Sequence, residues 1–166
     1  MNSTFFNEIQ TQLNTALPNL YVRLFRNQFD ELEDGDNYSF PFPCCFIEFI
    51  NNDHIKMLGN GVQLYDPLIV RLHIGHLEYD STDGQLDQNL NILGIKDQIF
   101  TILQKWKSAK SSIFVRTDEQ MHVQHDQVSV FIQEYTTTLT DDSLREPVGG
   151  QQTTPTTDLD LTVTFN

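Results

Sequence analysis

CCFIEFI, residues 44–50, is the stretch on which the fold turns. It is apolar on both alternating faces apart from Glu48, and it is rich in aromatic and β-branched residues. A run of this length and composition, entered through Phe40-Pro41-Phe42-Pro43, reads as an inner strand lying beneath a helix. Glu48 then needs a partner. The plain expectation is a cation from a neighbouring strand, Arg71 or Arg23, because a buried carboxylate without one is costly.

Working outward, residues 21–26 alternate as a strand, with Tyr21, Arg23 and Phe25 on one side and Val22 and Leu24 on the other. Upstream, Phe5, Ile9, Leu13 and Leu17 recur every four residues, which predicts a helix over 3–17, capped near Ser3 and stopped by Pro18. Downstream, residues 51–61 read as a loop around a short apolar piece with Ile55, Met57 and Leu58. Residues 62–65 and 68–77 read as one long strand interrupted at Asp66-Pro67, where proline requires an edge or a bulge. A second helix is expected over 87–107, its apolar face made by Leu86, Leu90, Leu93, Ile99, Phe100, Leu103 and Trp106. Residues 113–116 begin a further strand, 118–127 are polar enough for a hairpin loop, and 128–138 form the last strand. The fold class is α/β (α+β): two helices packed on a mixed or antiparallel β-sheet. Phe46, Phe49, Leu72, Ile74, Ile99, Leu103, Val130 and Ile132 are its expected shared interior.

Beyond Thr138 the composition changes to Asp, Thr, Gly, Pro and Gln, the chemistry of a linker. Leu159, Leu161, Val163 and Phe165 then alternate with Asp160, Thr162 and Thr164. The expected division is therefore a domain over 1–138 and, over 139–166, a flexible linker with a C-terminal β arm. Leu159, Leu161, Val163 and Phe165 are the candidate assembly residues, able to join a sheet of the same chain or of a neighbour. No internal repeat is visible.

Charge narrows the function. Ten basic against 23 acidic residues leave −13 over 166 residues and 19.2 kDa. The Lys and Arg residues form no patch, so binding to a nucleic-acid backbone is not expected. No apolar run approaches a membrane span, and no secretory signal is expected at the N-terminus. Cys44 and Cys45 are adjacent, which makes no disulfide framework, and no cation flanks them to activate a thiol; they read as small buried hydrophobes. Five carboxylates between Asp30 and Asp36 lack the spacing and central glycine of a calcium loop and read as a solvated surface. His73 and His76 sit three apart in a strand and face opposite ways. His122 and His125, with Asp118 and Asp126, form the one metal-ligand set worth naming, the basis for an alternative reading as a metal-dependent enzyme. Without Cys partners or an HExxH frame, a polar loop is the simpler reading. There is no phosphate-binding glycine loop, dinucleotide fingerprint or nucleophile elbow. No catalytic residue, cofactor or metal is assigned.

The order of elements, with ALPNLYVRLF, FPFPCCFIEF, GNGVQLYDPLIVRLHIGH, LNILGIKDQIFTILQKW and RTDEQMHVQHDQVSVFIQEY, resembles the tail-terminator and tail-completion (neck) proteins of tailed bacteriophages. The resemblance runs from about Thr4 to Tyr135. It rests on Pro41-Phe42-Pro43 before the apolar strand, Gly61-Val62-Gln63 opening the next, and His125-Asp126 before the strand that holds Tyr135. The acidic loop and the C-terminal arm depart from the compact family pattern and leave room for a head-completion or connector role. The resemblance implies a tail-terminator-like fold and a structural virion protein without catalysis. Such a protein forms a homo-hexameric ring that ends the tail tube and meets the tail tube protein on one side and a head-side connector or neck protein on the other. It also implies assembly in the cytoplasm of a bacterial host and genomic DNA passing through the channel without specific binding. A strongly acidic channel suits that passage, since it repels the polyanion.

Overall fold

The computed structural model describes residues 3–29, 40–50, 55–77, 86–125 and 128–143, of which 86–91 and 123–125 are described by their backbone alone. The chain orders as α1 (Ser3–Ala16), β1 (Tyr21–Leu24), β2 (Cys44–Ile50), β3 (Ile55–Gly59), β4 (Val62–Leu77), α2 (Leu86–Leu103), β5 (Val115–His125) and β6 (Val128–Asp141). The six strands make one sheet in the order β1-β2-β4-β6-β5, with β3 pairing β4 beyond the end of β2. β1 runs parallel to β2 and every other pairing is antiparallel, so the sheet is mixed. The α+β layout of two helices on a sheet is as expected.

Both helices lie on one face. Phe5, Ile9 and Leu13 of α1 and Ile92, Ile99 and Leu103 of α2 are buried against Cys45, Ile47, Val70, Leu72, Ile74, Phe131 and Tyr135 of the sheet. α1 stops where expected: the Leu17 N–H still reaches the Leu13 carbonyl, and Pro18 has no N–H to continue the ladder. Among the described residues, the other face is closed by aromatic segments rather than helices. Phe29 and Phe40 pack edge-on over Phe46, with Cys44, Val128 and Val130 beneath them. The expected single interior is thus two. Phe46 and Val130 belong to this second cluster, whereas Phe49, Leu72, Ile74, Ile99 and Leu103 belong to the first. Strand alternation explains the split, because neighbouring side chains leave opposite faces.

Several boundaries differ from the sequence reading; β1 ends at Leu24 rather than 26, and β5 opens at Val115 rather than 113. The loop expected over 51–61 contains β3, turned into β4 by Asn60-Gly61 with φ of 49° and 74°. Two consecutive positive φ values are what a two-residue hairpin of right-handed twist requires. α2 ends at Leu103 rather than 107: Lys105 takes a left-handed φ of 65°, and its N–H donates to the Phe114 carbonyl while the Phe114 N–H donates to Trp106. Trp106 is thereby stacked edge-on against Phe114, at 5.2 Å between rings, instead of continuing the helix. The hairpin loop expected over 118–127 is β5 as far as His125. Finally β6 extends past Thr138 through Leu139, which is buried, to Asp141. In β4 the interruption at Asp66-Pro67 is a register shift between Tyr65 and Leu68, a bulge in an inner strand rather than an edge.

Candidate functional site

Glu48 does find its expected partner. It faces Arg71 across the β2–β4 ladder, and the carboxylate accepts from Arg71 Nη1 at 3.3 Å. The same guanidinium spans to Glu134 on β6, with Nε at 2.7 Å and Nη2 at 2.6 Å from Oε1. Arg71 is therefore clamped between two carboxylates from the strands on either side of it. Arg23 takes no part; its guanidinium lies over the Tyr21 ring at 4.7 Å. A second partner of Glu48 was not anticipated: His73 Nε2 lies 2.9 Å from its Oε2. The imidazole is stacked on Phe25, with ring centroids 3.7 Å apart and planes 2° from parallel.

These groups line an open groove of about 340 Å³ on the helix-free face, together with Asn27, Phe29, His122, Val130 and Ile132. Burial pushes the His73 imidazole below its ordinary pKa; the hydrogen bond and charge of Glu48 oppose that shift, and Arg71 and His122 add to it. Neutral His73 is the form that suits its stacked position at neutral pH. Chemically, the groove offers a fixed ion-pair chain and a neutral imidazole.

Of the metal-ligand set named from sequence, Asp118 and His122 are the two with described side chains, four residues apart along β5. Asp118 and His122 sit on β5, opposite Glu134 and Val130. His122 turns towards His73 and Glu48 in the groove. Asp126 lies outside the described residues, as does the side chain of His125. Among the described residues no group of three His, Cys, Asp or Glu side chains is placed to hold a metal. The carboxylates of 30–36 and the arm residues Leu159, Leu161, Val163 and Phe165 also lie outside the described residues. Cys44 and Cys45 are buried on opposite faces of β2, in separate clusters. Burial raises both thiols, Cys45 to about 12, so neither is a thiolate at neutral pH.

A polar network under α2 had no signal in the sequence. Gln133, fully buried, donates through Nε2 to Glu119 at 2.8 Å and to the Lys96 carbonyl at 3.1 Å, and accepts from the Tyr135 hydroxyl at 3.0 Å. Lys96 Nζ reaches Glu119 at 2.7 Å, and Arg116 holds the other oxygen of that carboxylate while lying over Phe100 at 3.9 Å. Burial raises the Glu119 carboxyl, but hydrogen bonds from Lys96 and Gln133 outweigh it and hold the group below its ordinary range. The network locks the β5–β6 pair to the helix layer. Because each described member is satisfied, it specifies register without leaving a buried polar atom open.

The remaining candidate surface is apolar. Ile55, Met57 and Leu58 on the β3–β4 hairpin are 46%, 62% and 58% exposed, in a protein otherwise dominated by negative charge. No protein-family model matches the chain, and no curated protein matches it.

Proposed function

We propose that the chain is a structural subunit of a virus particle, a tail-terminator-type protein whose hexameric ring closes the tail tube and joins it to a head-side connector, with no catalysis. The observation that carries the assembly half of this reading is the hairpin of β3 and β4. Its three large apolar residues each leave about half or more of their surface exposed. Exposed apolar surface held on a regular hairpin is what a protein–protein contact needs, and it overcomes the mutual repulsion of copies that each carry −13. The virion half rests on the resemblance of residues 4–135 to phage tail-terminator and neck proteins. The net charge supports it, since a ring of such subunits lets DNA slide through without adhering. A head-completion protein would use the same hairpin in a ring one step closer to the head.

Met57→Asp with Leu58→Asp tests the contact. Both positions are exposed, so the unfolding midpoint of the subunit should stay close to that of the parent chain while ring formation and incorporation into particles are lost. Imaging of intact particles tests the place. Density for the chain at the head–tail junction in six or twelve copies is expected. Absence from that junction, or normal assembly by the double variant, would overturn the reading.

A further inference from the structure

The two edges of the sheet are treated differently. At β1 the outward carbonyls are already occupied: Val22 accepts from Gln10 Nε2 at 2.7 Å and from Arg23 Nη1 at 2.8 Å, and Leu24 accepts from Gln28 Nε2 at 2.8 Å. Such capping removes the template that an edge offers to a further strand. The opening of β5 is capped as well, with the Arg116 N–H donating to Gln104 Oε1 at 3.1 Å and Phe114 bonded to Lys105 and Trp106. Beyond the bulge at Arg116/Asp118 the protection ends. Residues 118–122 pair regularly with β6 on one side, up to a second register shift between His122 and His125, and among the described residues no side chain or loop bonds to their backbone on the other. Met121, 52% exposed, lies beside this edge on the helix-bearing face, opposite Phe131. On the same face, one turn before the Lys96 that binds Glu119, Leu93 is 38% exposed.

We propose that this open edge of β5 receives residues 158–165 from the C-terminal arm of a second copy of the chain, as a seventh strand. The regular part of the edge, 118–122, lies within the span of the eight-residue run, and one register satisfies both pattern and charge. An antiparallel placement with Leu161 opposite Met121 turns Leu159, Leu161, Val163 and Phe165 to the helix-bearing face, over the exposed Met121. It sets Asp160 opposite His122, Thr162 opposite Gln120 and Thr164 opposite Asp118, so the acidic end of the arm avoids Asp118. The parallel direction would bring Asp158 and Asp160 to Asp118 instead. Linker length points to a second copy. In this register the arm starts at Asp158 opposite Gln124, level with the beginning of β6, so returning there from the end of β6 takes about 45–50 Å along and across the sheet. The fourteen residues 144–157 span at most about 50 Å, so the chain's own edge is reached only by a linker drawn almost straight, a demand that an edge on a second copy does not make.

Giving an arm to one neighbour and receiving one from the other is a head-to-tail contact, which closes into a ring when the rotation permits. The inference therefore deepens the ring proposed above and rests on it for closure. Its test is a disulfide across the register in the full-length chain, Gln120→Cys with Thr162→Cys, and with Asp160→Cys or Thr164→Cys to sample shifts of two residues. Mild oxidation of assembled protein should yield a ladder of chains linked to one another in the double variant and none in either single variant, since Cys44 and Cys45 are buried. Adding Leu161→Asp, which leaves both cysteines in place, should abolish the ladder. A bond closed within one chain, or no bond at any of the three registers, would overturn the exchange. Imaging the same samples judges the ring separately, because rings without cross-links defeat the arm contact and leave the ring standing.

Discussion

The two faces of the sheet are built from the same strands yet solve burial differently. The helix-bearing face is continuous: Ile9, Leu13, Leu72, Ile74, Ile99 and Leu103 have no accessible surface, and the fully buried Gln133 is tied into a network with Glu119, Lys96 and Tyr135. The helix-free face has a smaller aromatic cluster at one end and the chain Glu48–Arg71–Glu134 with His73 in the middle. Helices supply many apolar side chains per unit length along a fixed stripe, so they cover a sheet evenly. Phe25, Phe29, Phe40 and Phe42 come from short irregular segments and cover only where a ring happens to reach. The difference teaches that stability is concentrated on one face while polar and contact surfaces are left available on the other face and at the edges.

The contrast can be broken most strongly on the helix side. Leu103→Ala removes a fully buried side chain from the larger cluster and should destabilise the protein by about 2–5 kcal/mol, from lost transfer energy and the cavity left behind. Gln98→Ala, exposed on the same helix, should stay within about 0.5 kcal/mol. Gln104 is not a neutral control, since it caps the Arg116 N–H. Denaturant unfolding checks the pair, and equal effects would mean that the helix does not carry the core.

On the helix-free face the sharper probe is Gly75. A Cβ there would stand 2.6 Å from the Phe29 ring and 2.9 Å from Cys44 Sγ. Gly75→Ala should therefore displace Phe29 and destabilise by about 1–3 kcal/mol, as overpacking does. In a Phe29→Ala background the added cost should shrink, because the nearest obstacle is gone. Parallel unfolding curves for the four chains measure that coupling.

The smallest effect is the pH dependence of the groove. The folded-state pKa of His73 is depressed, so the unfolded chain takes up the proton first as pH falls. Stability contributed by the neutral ring is present above about pH 6.5, the unfolded value, and is lost progressively as pH drops from there through the folded value. His73→Phe keeps an aromatic ring against Phe25 and should flatten the change in unfolding midpoint between pH 7.5 and 5.5. An unchanged slope would show that other groups set it.

Much of this was legible in local pattern. The four-residue spacing of Phe5, Ile9 and Leu13 placed α1, the doubly apolar run 44–50 placed β2, and Asp66-Pro67 marked the bulge in β4. The β3–β4 hairpin was also signalled, by Asn60-Gly61, but the apolar run around Ile55 is too brief to declare a strand without its partner. β5 was harder. TDEQMHVQH is polar because one side of an edge strand meets water, and composition of that kind reads as loop until β6 is found beside it. The Glu48–Arg71 pair could be named because a lone carboxylate in an apolar strand demands a cation. His73 as its second partner, and Gln133 with Glu119 and Lys96, could not, because these contacts join residues 14 to 37 positions apart.

The sequence by itself therefore determined both helices and the strands β1, β2, β4 and β6, the two-helix α+β class, the acidic surface and the need for a partner at Glu48, since each follows from periodicity, composition or the cost of burying a charge. Only the tertiary structure decided which face each strand residue serves, where α2 stops, and that β1 is a capped edge while 118–122 are, among the described residues, an open one. Register across a sheet is set by contacts between segments distant in the chain, and no local spacing encodes it.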